Sequence, residues 1–421
     1  MAFYCDKALV LMVSTNESAQ PSSHWLSPFQ NKSFRFQWPS DLATSWALEM
    51  ELIVLGWYIL SASGSVVMLV MFGSLQFIGT LVSPFVGMIG DRIGFKKIIM
   101  ISRSLYAFVA LLLMFLSWSD ELTPIRVLVI AGLVGMVRAS DMMFRNSMIA
   151  RTMQPKQLLG ALAISKITSD SARVVGALVG AGMVAWLGMT TAYVLISFLY
   201  VLCVCFSLGL KERAIDATQH QPVKPIRDVM IAWSYVKNRP ILLAAMWLAF
   251  LVNLFAFPFV LGLLPYAAKN IYFTDQKGLG FLSASFATGS LISSALLSKF
   301  RFRTRNAKIM MWAGLFWFSI TLVFAWVNHM VVGIMVLLCI GFTHGFCVTP
   351  LAAAMLQASE EEYQGRVMGM RMLAVWGLPL GLLIAGFLID AMGYTSTVSL
   401  FSVLGIASTL WMMKIWREHL Q

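Results

Sequence analysis

Apolar residues in this chain do not alternate with polar ones; they gather into long runs separated by brief polar punctuation. A helix needs about 20 such residues to cross ~30 Å of hydrocarbon. Twelve runs of that kind can be placed, at approximately 38–62, 65–90, 96–117, 125–150, 158–185, 189–210, 241–265, 277–299, 307–328, 330–355, 365–390 and 394–415. The short alternating segments of a transmembrane β-barrel are absent. Turn-forming residues mark the boundaries: Ser63-Gly64-Ser65, Asp120-Glu121 with Pro124, Gly188, Pro240 and Lys277-Gly278. The pattern predicts an all-α polytopic membrane protein of twelve spans. It divides into six spans over 34–210, a polar central linker over 211–239, six spans over 240–416 and a short tail over 417–421. Residues 1–33 are polar, and their one apolar stretch, Ala8 to Val13, is too short for a signal-peptide core. That segment reads as a disordered tail.

Composition supports the membrane reading. Only 12% of the 421 residues are charged, about half of what a soluble domain carries. The net charge of +12 could point to nucleic acid, but the basic residues are distributed by topology. Of the 31 Lys and Arg, 25 are assigned to the amino-terminal tail, the even-numbered connections and the carboxy-terminal tail, and Arg138, Arg145 and Arg173 to spans. The opposite side receives Arg126, Lys269 and Lys277. The positive-inside rule then places both termini in the cytoplasm of a multi-pass protein of the cell inner membrane. An even number of spans requires the termini to share a side, so the two arguments agree. No nucleic-acid partner is expected. The five cysteines show neither zinc spacing nor a disulfide framework, so no metal or cofactor is expected. Catalytic signatures such as His-Glu-x-x-His, a nucleophile elbow or a phosphate loop are missing, and the chain does not read as an enzyme.

The halves resemble each other. Leu159-Gly160 opens span five much as Met368-Gly369 opens span eleven. The run from Gly176 to Gly188 matches that from Gly381 to Gly393, with the same spacing between the outer glycines. An internal duplication of the parallel type found in transporters accounts for both matches.

Between spans two and three stands Gly87-Met88-Ile89-Gly90-Asp91-Arg92-Ile93-Gly94-Phe95-Lys96-Lys97. Gly90 and Gly94 permit a tight turn, Asp91 can pair with an arginine or a helix N-terminus, and Arg92, Lys96 and Lys97 hold the loop on the cytoplasmic side. This loop resembles the signature of the major facilitator superfamily, Gly-x-x-x-Asp-Arg-x-Gly-Arg-Lys, with Phe95 where a basic residue is usual. The corresponding loop of the second half, Phe300 to Arg305, keeps the positive charge and loses the acid. Phe34-Arg35 with Trp38, the stretch Gln364 to Gly369, and Arg145 with Lys156-Gln157-Leu158 resemble the branch that contains the enterobactin exporter and other transmembrane secretion effectors. The resemblance runs from about Phe34 to the last span. It implies two six-helix bundles around a central cavity, and proton-driven efflux of siderophores or drugs by alternating access. The glycines of span five resemble the antiporter motif of the family, but Val175-Gly176-Ala177 stands where that motif has Gly-Pro.

Ionisable groups inside spans are costly and mark functional positions. Span one carries Asp41, Glu49 and Glu51. The two glutamates differ by ~200° around a helix, so at most one faces a central cavity. Arg138, Asp141 and Arg145 form one stripe on span four, and Lys166, Asp170 and Arg173 another on span five. Structural Arg–Asp pairing that locks the two helices together is one reading of these stripes. Their surplus of cations gives the other, an anion site in which arginine supplies a bidentate fork. In the second half Asn253, His344, Gln357 and Asp390 are the main polar membrane groups, with Trp247, Trp376 and Phe255 as possible cavity aromatics.

The resulting expectation is a monomeric, proton-coupled exporter of a small anionic metabolite such as a siderophore. Uptake of a siderophore or organic acid, and multidrug efflux, are the alternatives. Glu49 leads as proton carrier, followed by Glu51, Asp41, Asp170 and His344. Arg138, Arg173, Lys166, Asn253 and Trp376 are the candidate substrate contacts. Gly87, Gly90, Asp91, Arg92, Gly94, Lys96 and Lys97, with Arg145, form the expected conformational switch.

Overall fold

Hydrocarbon offers backbone N–H and C=O groups no water, so a chain with these apolar runs must satisfy them within helices. A computed structural model describes residues 27–80, 94–211, 225–299 and 306–417, and among these every regular element is helical. The first half contains Lys32–Ser63 (span one), Val66–Leu75 with the turn Ile78–Thr80 (span two), Phe95–Trp118 (span three), Pro124–Thr152 (span four) and Pro155–Leu208. The last is one hydrogen-bonded helix that Gly188 bends into spans five and six. The second half contains Pro240–Phe255 prolonged by the π turns Pro258–Gly262 and Ala267–Ile271 (span seven), Gln276–Lys299 (span eight), Asn306–Ala325 (span nine) and Met330–Gln357 (span ten). Span eleven is broken into Glu361–Ala374 and Gly377–Met392, and Tyr394–Ile415 is span twelve. Among the described residues nine stretches are long and apolar enough to cross a membrane, and one of them, Gly160–Leu208, holds two spans. The chain is a multi-pass membrane protein.

Local chemistry sets the helix starts. Asn31 caps span one through the backbone N–H of Ser33 at 2.8 Å, and Ser65 caps span two. Pro124, Pro155 and Pro240 stand in the first turns of spans four, five and seven, where a missing N–H breaks no bond. Two details differ from the hydrophobic pattern. Residues 27–33, expected in a disordered tail, form the short 3-10 turn Ser27–Gln30 and the first residues of span one. Asn31 Nδ2 reaches the carbonyl of Thr152 at 2.6 Å, and Gln157 Nε2 reaches that of Ser27 at 3.1 Å. The polar linker also contains a helix, Pro225–Lys237, whose Tyr235 stacks on Tyr363 at the start of span eleven.

The duplication is visible in the backbone. Gly188 has φ 82° and ψ 174°, and Gly393 has φ 83° and ψ 167°, a region that only glycine occupies readily. Close helix approach repeats as well. A Cβ on Gly176 would stand 2.7 Å from that of Glu49, so span five lies directly on span one. Gly381 is pressed in the same way against the carbonyl of Leu254, packing span eleven on span seven.

The two halves meet on the side away from the termini. Span two packs along Gly377–Met392, with Ser74 Oγ donating to the Pro379 carbonyl at 3.2 Å. Span eight packs on span five, where Gly280 faces Ala177 and Ala181. Lys277 lies 5.1 Å over the Trp186 ring, and Lys269 Nζ reaches the Leu60 carbonyl at 3.4 Å. On the terminal side, a Cβ on Gly365 or Gly369 of span eleven would meet nothing within 4 Å. Among the described residues the halves are sealed on the far side.

Because a Cβ at Gly188 or Gly393 would meet no neighbour, substitution there tests backbone strain alone. Gly188→Ala and Gly393→Ala should each lower stability by about 1–3 kcal/mol. The two losses should be of similar size in thermal unfolding of the detergent-solubilised protein.

Candidate functional site

Charged side chains in the first half sort into a buried layer and a cavity layer. Asp41 of span one anchors the buried layer. Arg103 of span three, fully buried, donates Nη2 to Asp41 Oδ1 and Nη1 to Ser40, with Ser207 of span six 2.9 Å away. Arg145 of span four lies 3.4 Å from the same Asp41 oxygen, 3.7 Å from Asp141 and 3.1 Å from Ser45 Oγ. Gln37 closes the cluster, its Nε2 reaching Asp41 at 3.4 Å and the Arg145 carbonyl at 3.0 Å. Two arginines and two aspartates give a neutral set, the condition under which buried charges are tolerated.

Glu51 sits deeper, accepting a hydrogen bond from Tyr200 Oη at 3.0 Å. Arg138 donates to Gln76 Oε1 of span two at 2.7 Å and lies within electrostatic reach of Glu51 and Asp141. The buried Tyr106 stands among Asp141, Arg138, Arg103 and Glu51. Acid and base thus alternate from Glu51 through Arg138, Asp141, Arg145 and Asp41 to Arg103.

Glu49 points the other way, as its angular separation from Glu51 requires. It faces Arg173 of span five, with Oε1 3.7 Å from Nε. Both line a cavity beneath the far-side seal, with Phe72, Ala177, Pro265 and Phe286 among its walls. One turn or two nearer the termini, Lys166 pairs with Asp170 at 2.6 Å, the lysine 54% exposed and the aspartate buried. Across the gap stands His344 of span ten. Its Nδ1 is 3.1 Å from Ser290 Oγ, its ring is boxed by Phe257, Phe286 and Trp317, and Lys166 and Arg173 act on it electrostatically.

Several sequence expectations change position. Arg138 is held by Gln76 inside the first half and is not among the residues lining that cavity. Asn253 turns its amide back onto the Ala249 carbonyl at 2.8 Å, so that donor is spent within its own helix. Trp376 lies at the break in span eleven, its buried indole N–H without a partner among the described residues. Arg145 is drawn into the Asp41 cluster. The loop residues it was expected to serve, Gly87, Gly90, Asp91 and Arg92, lie outside the described residues. Gly94 has φ 96° and caps span three, with Lys96 and Lys97 in the first turn. Arg103 is one residue that the charge census misassigns, by leaving it with the cytoplasmic cations. The signal was present: Ile99, Arg103, Tyr106, Ala110 and Leu113 form a buried stripe at helical spacing, with a cation in an apolar row.

With this geometry in place, the comparisons identify the fold. The sequence matches the Major Facilitator Superfamily over residues 42–379. The chain belongs to that superfamily. Comparison with curated proteins finds no match. Among solved structures, the chain is similar to the nucleoside transporter NupG at 14% identity, covering 91% of this chain and 99% of that one with a TM-score of 0.68. A POT family transporter in complex with 5-aminolevulinic acid aligns at 10% identity over 93% and 97% of the two chains, with a TM-score of 0.71. The human organic anion transporter MFSD10 (TETRAN) aligns at 15% identity over 93% and 100%, with a TM-score of 0.62. This major facilitator therefore has the twelve-helix, two-bundle fold of membrane transporters.

The charge layers differ in what they can tolerate. Asp41→Asn leaves Arg103 buried without its carboxylate and should destabilise the protein by about 3–5 kcal/mol. Glu121→Gln breaks the exposed pair with Arg126, 3.0 Å long, and should cost less than about 1 kcal/mol. Thermal unfolding of the two variants side by side measures the contrast.

Proposed function

We propose that this protein is a proton-coupled secondary transporter of small organic anions, working by alternating access. The observation that carries the reading is the Glu49–Arg173 pair on the cavity wall. At 3.7 Å, with side chains 25% and 37% exposed, it can exchange partners without stranding a fully buried charge. A proton arriving on Glu49 removes the negative charge that holds Arg173. The guanidinium then turns to an anion in the cavity, where its fork suits a carboxylate. Lys166, two turns away on the same helix, is a more exposed cation paired with Asp170.

The same pair supports a sign for the coupling. Protonation and anion binding favour each other, so proton and cargo travel together. Export by antiport, the direction implied by the resemblance to the enterobactin exporter, needs proton and cargo to compete. In a membrane more acidic outside than inside, cooperation supports uptake of an organic acid or siderophore. The neutral Asp41 cluster serves as the rigid frame in this scheme, and Glu49 as the titrating group.

Linkage makes the reading testable. Anion affinity of the wild type should fall as pH rises, by up to about tenfold per unit once Glu49 ionises, because one proton accompanies each anion. Glu49→Gln should flatten that dependence, keep anion exchange across proteoliposome membranes and abolish accumulation driven by a pH gradient. Affinity that rises with pH would mean competition and return the reading to antiport. High-affinity binding of organic cations with none of anions would replace it by multidrug efflux.

A further inference from the structure

Arg371 belongs to neither charge layer of the first half. It lies in the first helix of span eleven, within the membrane, and is half-buried. Among the described residues no carboxylate pairs with it, and Cys347 of span ten is the titratable group that acts on it. A cation in that position is costly unless something neutralises it. The flanking positions show what it borders: Val367, Ala374 and Leu378 pack into the second half, while Gly365, Gly369 and Met372 are exposed. Arg371 stands at the edge between the two.

The internal duplication says what this position is. Lys166 precedes Gly176 by the same ten residues by which Arg371 precedes Gly381, and Gly188 and Gly393 then bend the chain in the same conformation. Counted from that glycine pair, Lys166 and Arg371 hold equivalent positions on spans five and eleven, whereas counting from Gly160 and Gly369 shifts the register by four residues. Their partners are not equivalent. Asp170, one turn after Lys166, supplies the carboxylate at 2.6 Å, whereas Val375 occupies that place after Arg371. The first-half cation is neutralised by its own helix, and the second-half cation is left open.

We propose that Arg371 is the second-half anchor for the anionic group of the cargo, taking from the ligand the carboxylate that Val375 denies it. The proposal rests on the anion-carrier reading above and adds a residue to it. An anion held by Arg173 on one half and by Arg371 on the other bridges the two bundles. Cargo with two separated acidic groups, a di- or tricarboxylate, fits that arrangement better than a monocarboxylate.

The test compares wild type, Arg371→Gln and Val375→Asp in detergent, with citrate, benzoate and tetraphenylphosphonium as probes. Dissociation constants are measured at pH 5.5, and melting temperature with and without each probe. Val375→Asp keeps the arginine and supplies an i, i+4 carboxylate, copying the Lys166–Asp170 pair. Citrate should bind wild type more tightly than benzoate. Both variants should weaken citrate at least about tenfold and lose the rise in melting temperature that citrate gives wild type, while Val375→Asp melts no lower than wild type without probe. Citrate affinity within twofold of wild type in either folded variant overturns the role of Arg371 and leaves the anion reading standing. Wild type that binds tetraphenylphosphonium alone, or neither anion, overturns the cargo class and the proposal with it.

Discussion

Asp41 holds two arginines from two other helices, and the first half of the molecule is organised around that fact. Arg103 brings span three to span one, Arg145 brings span four, and Ser207 adds the end of span six. Removing Asp41 leaves two buried arginines short of a carboxylate. The cluster is therefore a lock. Close glycine contacts extend it, since Gly176 and Gly180 bring the backbone of span five against Glu49 and Met50. A bundle fastened this way moves as one body, which is what rocking of one half against the other requires.

The cavity pairs have the opposite character. Glu49–Arg173 and Lys166–Asp170 each involve one acid and one base, and at least one member of each reaches open space. Such pairs contribute little to stability and can exchange a partner for a ligand or a proton at small cost. The contrast assigns the two layers to different tasks, frame and switch. The far-side seal follows the same economy. Among the described residues it is made of small-residue contacts, the Ser74–Pro379 hydrogen bond, one cation–π contact and one lysine-to-carbonyl contact, with no buried ion pair. Contacts of that kind can open and reform.

The all-helical pattern of twelve runs was legible because hydrocarbon thickness and backbone satisfaction leave few alternatives. The Gly176/Gly381 match was legible because the φ of Gly188 and Gly393 admits little else. The pairing of side chains was harder to read. Angular arithmetic separated Glu49 from Glu51, since both lie on one helix. It could not show that Arg138 would meet Gln76, because that depends on how spans two and four cross. Arg103 escaped notice because it lies only two turns from Lys96 and Lys97 and joined their charge count. Arg371 was passed over for the same reason, and only its place in the duplication exposes it.

The claim that organises this account is that proton and anion bind together, through Glu49 and Arg173. The most direct measurement is the proton balance of binding itself: adding citrate to purified protein in weakly buffered detergent solution near neutral pH and following pH. The account predicts uptake of about one proton per anion bound, lost in Glu49→Gln. Proton release on binding, or binding with no proton exchanged at any pH, would contradict it.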